Sequence, residues 1–274
     1  MTDITPLLAR IANALDRIAP KPAEDADLFA HPAYLWRGGS LSAVADFRAH
    51  PLDLLEGIPA QKEALLKNTN RLAKGLPAHD VLLWGARGTG KSSLVKSVVK
   101  ALQAEGAPLA LVEVARDGLP SLPALFAKLR GLDRRFVLFA DDLSFEGDYS
   151  AAKALRSLLE GGAEARPDNA RLHVTSNRRH LLDRDLAEQD SAINVRDVVN
   201  DKLALADRFG LSLGFHNVDQ ATYLAMVRGY ARAAGVPFDE HDALEWAVTR
   251  GARSGRVAWH YAQEIIARAG EAKS

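Results

Sequence analysis

The chain contains no cysteine. Disulfide frameworks, thiol catalysis and cysteine-based zinc sites are therefore excluded. The same absence fits the cytoplasm. An excess of charge is missing too, because 35 Lys and Arg balance 35 Asp and Glu. No global field draws such a chain to nucleic acid or to an anionic membrane. No apolar run approaches the ~18 residues that a membrane helix needs. At the N-terminus, Asp3, Arg10, Asp16 and Arg17 interrupt any signal-peptide core. The eight histidines show no H-E-x-x-H or similar ligand spacing. Asn-Lys-x-Asp, a guanine-reading pattern, is absent as well. These absences predict a cytoplasmic protein without membrane contact. What is present is ordinary globular composition: 274 residues, 47% hydrophobic and 26% charged. That length suffices for one core and a smaller satellite domain.

The most informative stretch is Gly85-Ala86-Arg87-Gly88-Thr89-Gly90-Lys91-Ser92, followed by Ser93. It matches G-x-x-x-x-G-K-[ST], the P-loop pattern. Glycines let the backbone curl so that its N–H groups meet phosphate oxygens. A helix starting there adds the positive end of its dipole. Lys91 suits the β/γ-phosphates, and Ser92 offers a hydroxyl to Mg²⁺. The context agrees. Apolar Val81-Leu82-Leu83-Trp84 precedes the motif, and Leu94, Val95, Val98, Val99 and Leu102 follow at helical spacing.

Strand and helix patterns alternate from there on. Candidate strands are Val81–Trp84, Leu109–Val114, Phe136–Ala140, Leu172–Ser176 and Leu211–Phe215. Helical patterns fall near 91–104, 121–130, 149–161 and 197–207, and another follows Pro59. Five apolar strands separated by helices imply a parallel sheet covered on both faces. After His216 only helices follow, near 219–234, 240–250 and 254–269, with Asp219 and Asp239 as N-caps. The expected domains are an N-terminal extension over 1–50, an α/β nucleotide-binding core over 51–217 and a helical lid over 218–274. Within the extension, Ile4, Leu8, Ile11, Leu15 and Ile18 form an a/d seam on a short helix. The seam suits packing on its own domain, partner binding or self-association. A polar linker spans 21–27. Beyond it, Tyr34, Trp36 and Phe47 predict order, and Gly38-Gly39 predicts a turn or hairpin.

Phe136-Val137-Leu138-Phe139-Ala140-Asp141-Asp142 is the second strong signal. Two carboxylates ending a buried strand are costly unless a cation neutralises them. Mg²⁺ on an ATP phosphate does so. Asp141 suits the metal and Asp142 suits polarisation of the attacking water, with Glu146 the alternative base. Asn177, with Thr175 behind it, suits the water or γ-phosphate. Arg208, just before the last strand, can point toward a neighbouring subunit's ATP and stabilise transition-state charge. Arg256, with Arg253 second, opens the last helix and can reach back to the phosphates. Arg178, Arg179, Arg184 and Arg196 form a basic region, but acidic residues interleave with it. Nucleic-acid binding is thus open and unsupported.

In this order, the P-loop, Asp141-Asp142, Asn177, Arg208 and Arg256 resemble the AAA+ ATPases. The similarity is closest to a bacterial family of short AAA+ proteins labelled a domain of unknown function. Further matching segments are Asn68-Thr69, Leu138 to Glu146, Thr175 to Leu181, Asp207 to Leu211 and Ser254 to Trp259. The resemblance covers roughly residues 50–270. It implies an AAA+ fold with a five-stranded parallel sheet of order 5-1-4-3-2 and a helical lid. It places Leu55-Glu56-Gly57-Ile58 near the adenine, with Gly57 and Ile58 as cofactor-binding residues. It also implies a homo-oligomeric ring or filament and ATP-driven action on a macromolecular partner. Two departures matter. AAA+ proteins usually carry Asp-Glu where this chain has Asp141-Asp142, so slow hydrolysis is expected. No aromatic stands in Ala115-Arg116-Asp117-Gly118-Leu119-Pro120, where unfoldase rings carry a threading loop, so a loader, scaffold or switch is favoured over processive unfolding. Three functions compete: an ATPase acting on a macromolecule, a binding switch with little hydrolysis, and a small-molecule kinase.

Overall fold

The computed structural model describes residues 25–45, 47–143, 166–177 and 207–271, together with 4–8, 10, 11, 155 and 159. The expected helices near 149–161 and 197–207 therefore lie almost wholly outside the described residues. Glu146, Arg178, Arg179, Arg184 and Arg196 lie outside them too.

The five expected strands are β3 (Val81–Gly85), β4 (Leu109–Val114), β5 (Arg135–Ala140), β6 (Ala170–Ser176) and β7 (Leu211–Phe215). They run β4-β5-β6-β3-β7 across the sheet, every neighbouring pair parallel. Read from the other edge, this is the 5-1-4-3-2 order. Side chains of β3 to β6 are mostly buried on both faces, which explains why these strands read as largely apolar runs, whereas β7 is an edge strand with Ser212 exposed.

The strand count needs correction, because the sheet has seven strands. The two extra strands are β1 (Ala33–Arg37) and β2 (Ser40–Val44), an antiparallel hairpin inside the stretch assigned to an N-terminal extension. Gly38 and Gly39 both take positive φ, +55° and +83°, in its two-residue turn. Such turns match the right-handed twist of the flanking strands. β1 then adds in parallel to β4. Tyr34 and Trp36 are fully buried there, and the Trp36 indole N–H donates to the Gly118 carbonyl at 3.2 Å. Partners this distant in sequence leave no local pattern, which is why β1 is not recognisable from its own five residues.

Helices α1 (Pro59–Ala73), α2 (Lys91–Ala104) and α3 (Leu122–Leu129) accompany the sheet. One apolar cluster joins α1 and α2 to one face, through Leu65, Leu94, Val98 and Phe139. Another joins α3 to the opposite face, through Leu125, Phe126, Phe136 and Leu138. Asn68 on α1 clamps the entry to β3: its side chain accepts from the His79 N–H and donates to the His79 carbonyl, both at 2.9 Å. Helices α4 (Gln220–Ala234), α5 (Glu240–Thr249) and α6 (Gly255–Glu271) surround a third core built on Tyr223, Val227, Ala258 and Tyr261. Asp219 and Asp239 cap α4 and α5 by accepting from the Thr222 and Asp242 N–H groups at 2.8 and 2.9 Å. Among the described N-terminal residues, Ile4, Leu7, Leu8 and Ile11 are exposed. Leu15 and Ile18 lie outside the described residues. No described helix is long and apolar enough to cross a membrane.

His173 sits in mid-sheet on β6, buried, and neither ring nitrogen has a hydrogen-bond partner among the described residues. Burial pushes its imidazole down to about 3. The native state thus keeps it neutral, whereas the unfolded chain protonates it near ~6.5. Below that pH the unfolded state binds the extra proton, so stability falls with pH by up to ~1.4 kcal/mol per unit. Urea midpoints measured from pH 7 to pH 4.5 should therefore fall, and His173→Leu should flatten the slope. An unchanged slope in that variant contradicts this origin.

Candidate functional site

The site lies at the carboxyl ends of β3, β5 and β6. β3 ends at Gly85, whose φ is +132°. Gly88 and Gly90 also take positive φ, +75° and +93°, so the loop turns back on itself before α2 begins at Lys91. This curl is open to glycine without steric cost. Thr89 tightens it by donating to the Ala86 carbonyl at 2.9 Å. Lys91 folds into the loop, with its ammonium donating to the Gly85 and Ala86 carbonyls at 2.8 and 2.7 Å and to Asn177 Oδ1 at 3.3 Å. Burial lowers its pKa, opposed by the negative charges of Asp142 and Asp141. A phosphate that replaces one of these neutral acceptors makes a charge-assisted and therefore stronger hydrogen bond.

The two aspartates differ in position. Asp141 Oδ1 accepts from Ser92 Oγ at 2.6 Å and from Thr175 Oγ1. Asp142 is the one non-glycine residue with positive φ among the described residues, at +50°. Its N–H donates to Thr175 Oγ1 at 2.8 Å, and its Oδ1 accepts from Asn177 Nδ2. Thr175 therefore ties the two aspartates to β6, and Asn177 links Asp142 to Lys91. Asp tolerates the left-handed region better than longer side chains do.

These groups line a cleft of about 590 Å³. Arg87 through Ser93, Ile58, Asp141, Asp142, Thr175, Asn177 and Arg256 all border it. Gly85 and Ala86 serve it through the carbonyls that hold Lys91. Gly57 stands between two lining residues but packs elsewhere: a Cβ there would come 2.2 Å from Thr222 Cγ2 on α4. Of the two lid arginines, Arg256 borders the cleft and Arg253 does not. Arg208 does not border it either. It precedes β7, where Leu211 pairs with Val81 and Phe215 with Gly85, so it sits at the amino ends of the strands, opposite the P-loop.

The lid touches the loop directly. The Gly255 N–H donates to the Gly88 carbonyl at 2.8 Å, and Ser254 Oγ accepts from the Val257 N–H at the start of α6. Sequence motifs did not point to His50, Met226, Tyr230 or His260, which also line the cleft. Trp259 does so too; its only sequence signal was its place at the end of the Ser254-to-Trp259 segment. Burial pushes the His50 imidazole down and the Tyr230 hydroxyl up.

The donor set fits a triphosphate with a magnesium ion. Lys91, Arg87 and Arg256 supply positive charge around a glycine loop, while Ser92 and Asp141 bring two oxygens within 2.6 Å of one another. Among the described residues, no group of three or more His, Cys, Asp or Glu could hold a metal without such help. Mg²⁺ suits that division, since it is commonly held by few protein oxygens plus phosphate and water.

Comparison with known proteins agrees with this fold. The Thermotoga maritima RuvB Holliday junction branch migration motor matches with a TM-score of 0.52 at 21% identity, over 79% of this chain and 64% of that one. A point mutant of RuvB from the same organism gives 0.55 at 19% identity, over 83% and 68%. The Aeropyrum pernix ORC1 protein, solved in complex with DNA, gives 0.53 at 16% identity, over 76% and 61%. This chain thus spans 64% of the branch migration motor and 61% of the ORC1 protein. At such identities the likeness concerns the fold, which is that of the AAA+ P-loop proteins. No functionally curated protein gives a significant match. The family model described as "Protein of unknown function (DUF815)" matches residues 29–269. The chain, whose fold is that of the AAA+ P-loop proteins, therefore belongs to the DUF815 family.

Proposed function

We propose that the protein is a Mg²⁺-dependent ATPase that acts on a macromolecular partner as a homo-oligomeric ring or filament. The observation that carries this reading is the convergence of Lys91, Ser92, Asp141, Asp142 and Asn177 on one cleft. Lys91 would hold the β/γ-phosphates. Ser92 and Asp141 would hold Mg²⁺, which supplies neutralisation of the phosphate charge. Asp142 has Oδ1 engaged by Asn177, which leaves Oδ2 to take a proton from the attacking water. Ile58 and the backbone around Gly57 would meet the adenine, and Arg256 would report the phosphates to the lid. The working division is an extension over 1–50 that contributes β1 and β2 to the sheet, a core over 51–217 and a lid over 218–274, in a cytoplasmic protein. What RuvB and ORC1 act on is not carried over: acidic residues interleave with Arg178, Arg179, Arg184 and Arg196 in the sequence, and nucleic-acid binding stays open and unsupported.

Arg208 supports action between subunits, since it stands at the end of the sheet opposite its own cleft and in this reading serves a neighbour's. Phosphate release per chain should therefore rise with protein concentration. Arg208→Ala should lower turnover by ~10³ or more even at high concentration. Turnover that is independent of concentration, or fully retained in the variant, rules this arrangement out. A second reading, a nucleotide-dependent switch with little hydrolysis, draws support from Asp142. Its acid is one methylene shorter than the usual Glu and is already bound to Asn177. Tight ATP binding with turnover no faster than that of Asp142→Asn would favour the switch.

A further inference from the structure

The turn that carries both aspartates is held by one residue of the neighbouring strand. Ala140 at the end of β5 pairs with Val174 of β6, so Thr175 comes level with Asp141. Three consecutive residues of the turn then bond to Thr175. Its Oγ1 donates to Asp141 Oδ1, the Asp142 N–H donates to that Oγ1 at 2.8 Å, and the Leu143 N–H donates to the Thr175 carbonyl at 2.8 Å. The middle residue, Asp142, has a φ of +50°, which is uncommon for a non-glycine residue. Thr175 is only 1% exposed, so its hydroxyl works out of reach of bulk water.

The direction of these bonds is fixed by counting protons. A hydroxyl has one proton to give. Because Thr175 Oγ1 receives the Asp142 N–H, its own proton goes to Asp141. Asp141 Oδ1 accepts a second hydrogen bond from Ser92 Oγ at 2.6 Å. Among the described residues, Oδ1 thus carries both bonds and Oδ2 is left for a cation or its waters. Ser92, its proton given to Asp141, keeps its lone pairs for the same purpose. We propose that Thr175 is the positioning residue of this site: its hydroxyl fixes the Asp141 carboxylate, through it the orientation of Ser92, and the backbone that presents Asp142. The inference rests on the Mg²⁺-dependent ATPase reading given above. Thr175 borders the cleft, but its proton is committed to Asp141, so it acts on a nucleotide only through the aspartates. Asn177 restrains the Asp142 side chain separately. Groups bonded in such a chain polarise one another, so loss of the middle member loosens both ends.

The test is a double-mutant cycle on the full chain, read by calorimetric titration of ATP in Mg²⁺ and in EDTA and by phosphate release. Thr175→Val keeps the side-chain shape and removes both donor and acceptor. It should leave ATP affinity in EDTA unchanged, remove most of the affinity gained from Mg²⁺, and lower kcat by about 10–100-fold. Thr175→Ser keeps the hydroxyl and should restore most of both. Asp141→Asn should lose the Mg²⁺ gain by itself, and adding Thr175→Val to it should cost little more, because both changes break one linkage. Thr175→Ala supplies the same comparison should Thr175→Val fail to fold, with circular dichroism as the check. A full Mg²⁺ gain and wild-type kcat in folded Thr175→Val, no recovery in Thr175→Ser, or additive losses in the double variant overturns the proposal. If wild-type protein gains no affinity from Mg²⁺ and releases no phosphate, the Mg²⁺-ATPase reading itself falls and takes this role with it. If wild-type protein does either and Thr175→Val matches it, only the Thr175 inference falls.

Discussion

Lys91→Ala is expected to abolish measurable ATP binding and to lower any turnover by about 10²–10³, the scale for removing one preorganised charge from a phosphate or oxyanion site. In the cleft, Lys91 is the buried cation, 7% exposed, and its ammonium is anchored by loop carbonyls rather than by a carboxylate. Its pKa is held down by burial, so its charge is already costly in the absence of an anion. A phosphate relieves that cost and the alanine variant cannot. The fold should survive, because the substitution also removes a desolvated charge. Circular dichroism should therefore show wild-type secondary structure while ATP titration shows no saturation. Asp142→Asn provides the contrast: ATP binding is retained and phosphate release is lost, since the amide cannot accept the water's proton. Wild-type turnover in Lys91→Ala would sink the assignment of this cleft as the hydrolytic site.

Gly85→Ala should cost more than any other single methyl group in the site. A Cβ at Gly85 would lie 1.9 Å from the Phe215 carbonyl oxygen and within 2.9 Å of two further backbone atoms of that residue. Its φ of +132° adds strain for any L side chain. The obstacle is backbone, so no rotamer change relieves it. Gly85 pairs with Phe215 in the β3–β7 register, and the next residue, Ala86, donates to the same carbonyl at 3.2 Å. Accommodation must push β7 away or distort the loop that follows. A loss of ~4 kcal/mol or more is expected, which in a chain of this size is a melting shift of ~10 °C or outright insolubility. Gly106→Ala is the control. Its φ is +85°, yet nothing lies within 4 Å of the added methyl. Only the left-handed backbone penalty of ~1–2 kcal/mol applies there. Similar melting temperatures for the two variants would show that the close approach of β3 to Phe215 is not rigid.

Much of this architecture is legible in the chain because its causes are local. β3 to β6 lie inside the sheet, so they are mostly buried on both faces and read as short, largely apolar runs, while β7 at the edge is marked by its alternation. The glycine loop announces itself because its geometry comes from glycine spacing within eight residues. Asp219 and Asp239 signal helix starts through bonds that span only three residues. Other features depend on partners far away in sequence. β1 is a strand because β4 offers it an edge and Gly118 a carbonyl to its Trp36. Thr175 carried a secondary role in the sequence, yet it is the side chain that ties both aspartates to β6. His50, Tyr230 and Trp259 stand in three distant stretches with no shared pattern.

By itself, the sequence determined which residue types could do phosphate chemistry, and which strands and helices could carry them. It did so because glycine freedom, apolar periodicity and capping act over a few residues. Only the tertiary structure decided that Lys91, Asp142 and Asn177 form one connected group, that Arg256 rather than Arg253 borders the cleft, and that Arg208 stands at the far end of the sheet. Those outcomes follow from strand order and parallel register, which bring carboxyl ends together at one end of the sheet and leave the residue preceding β7 at the other.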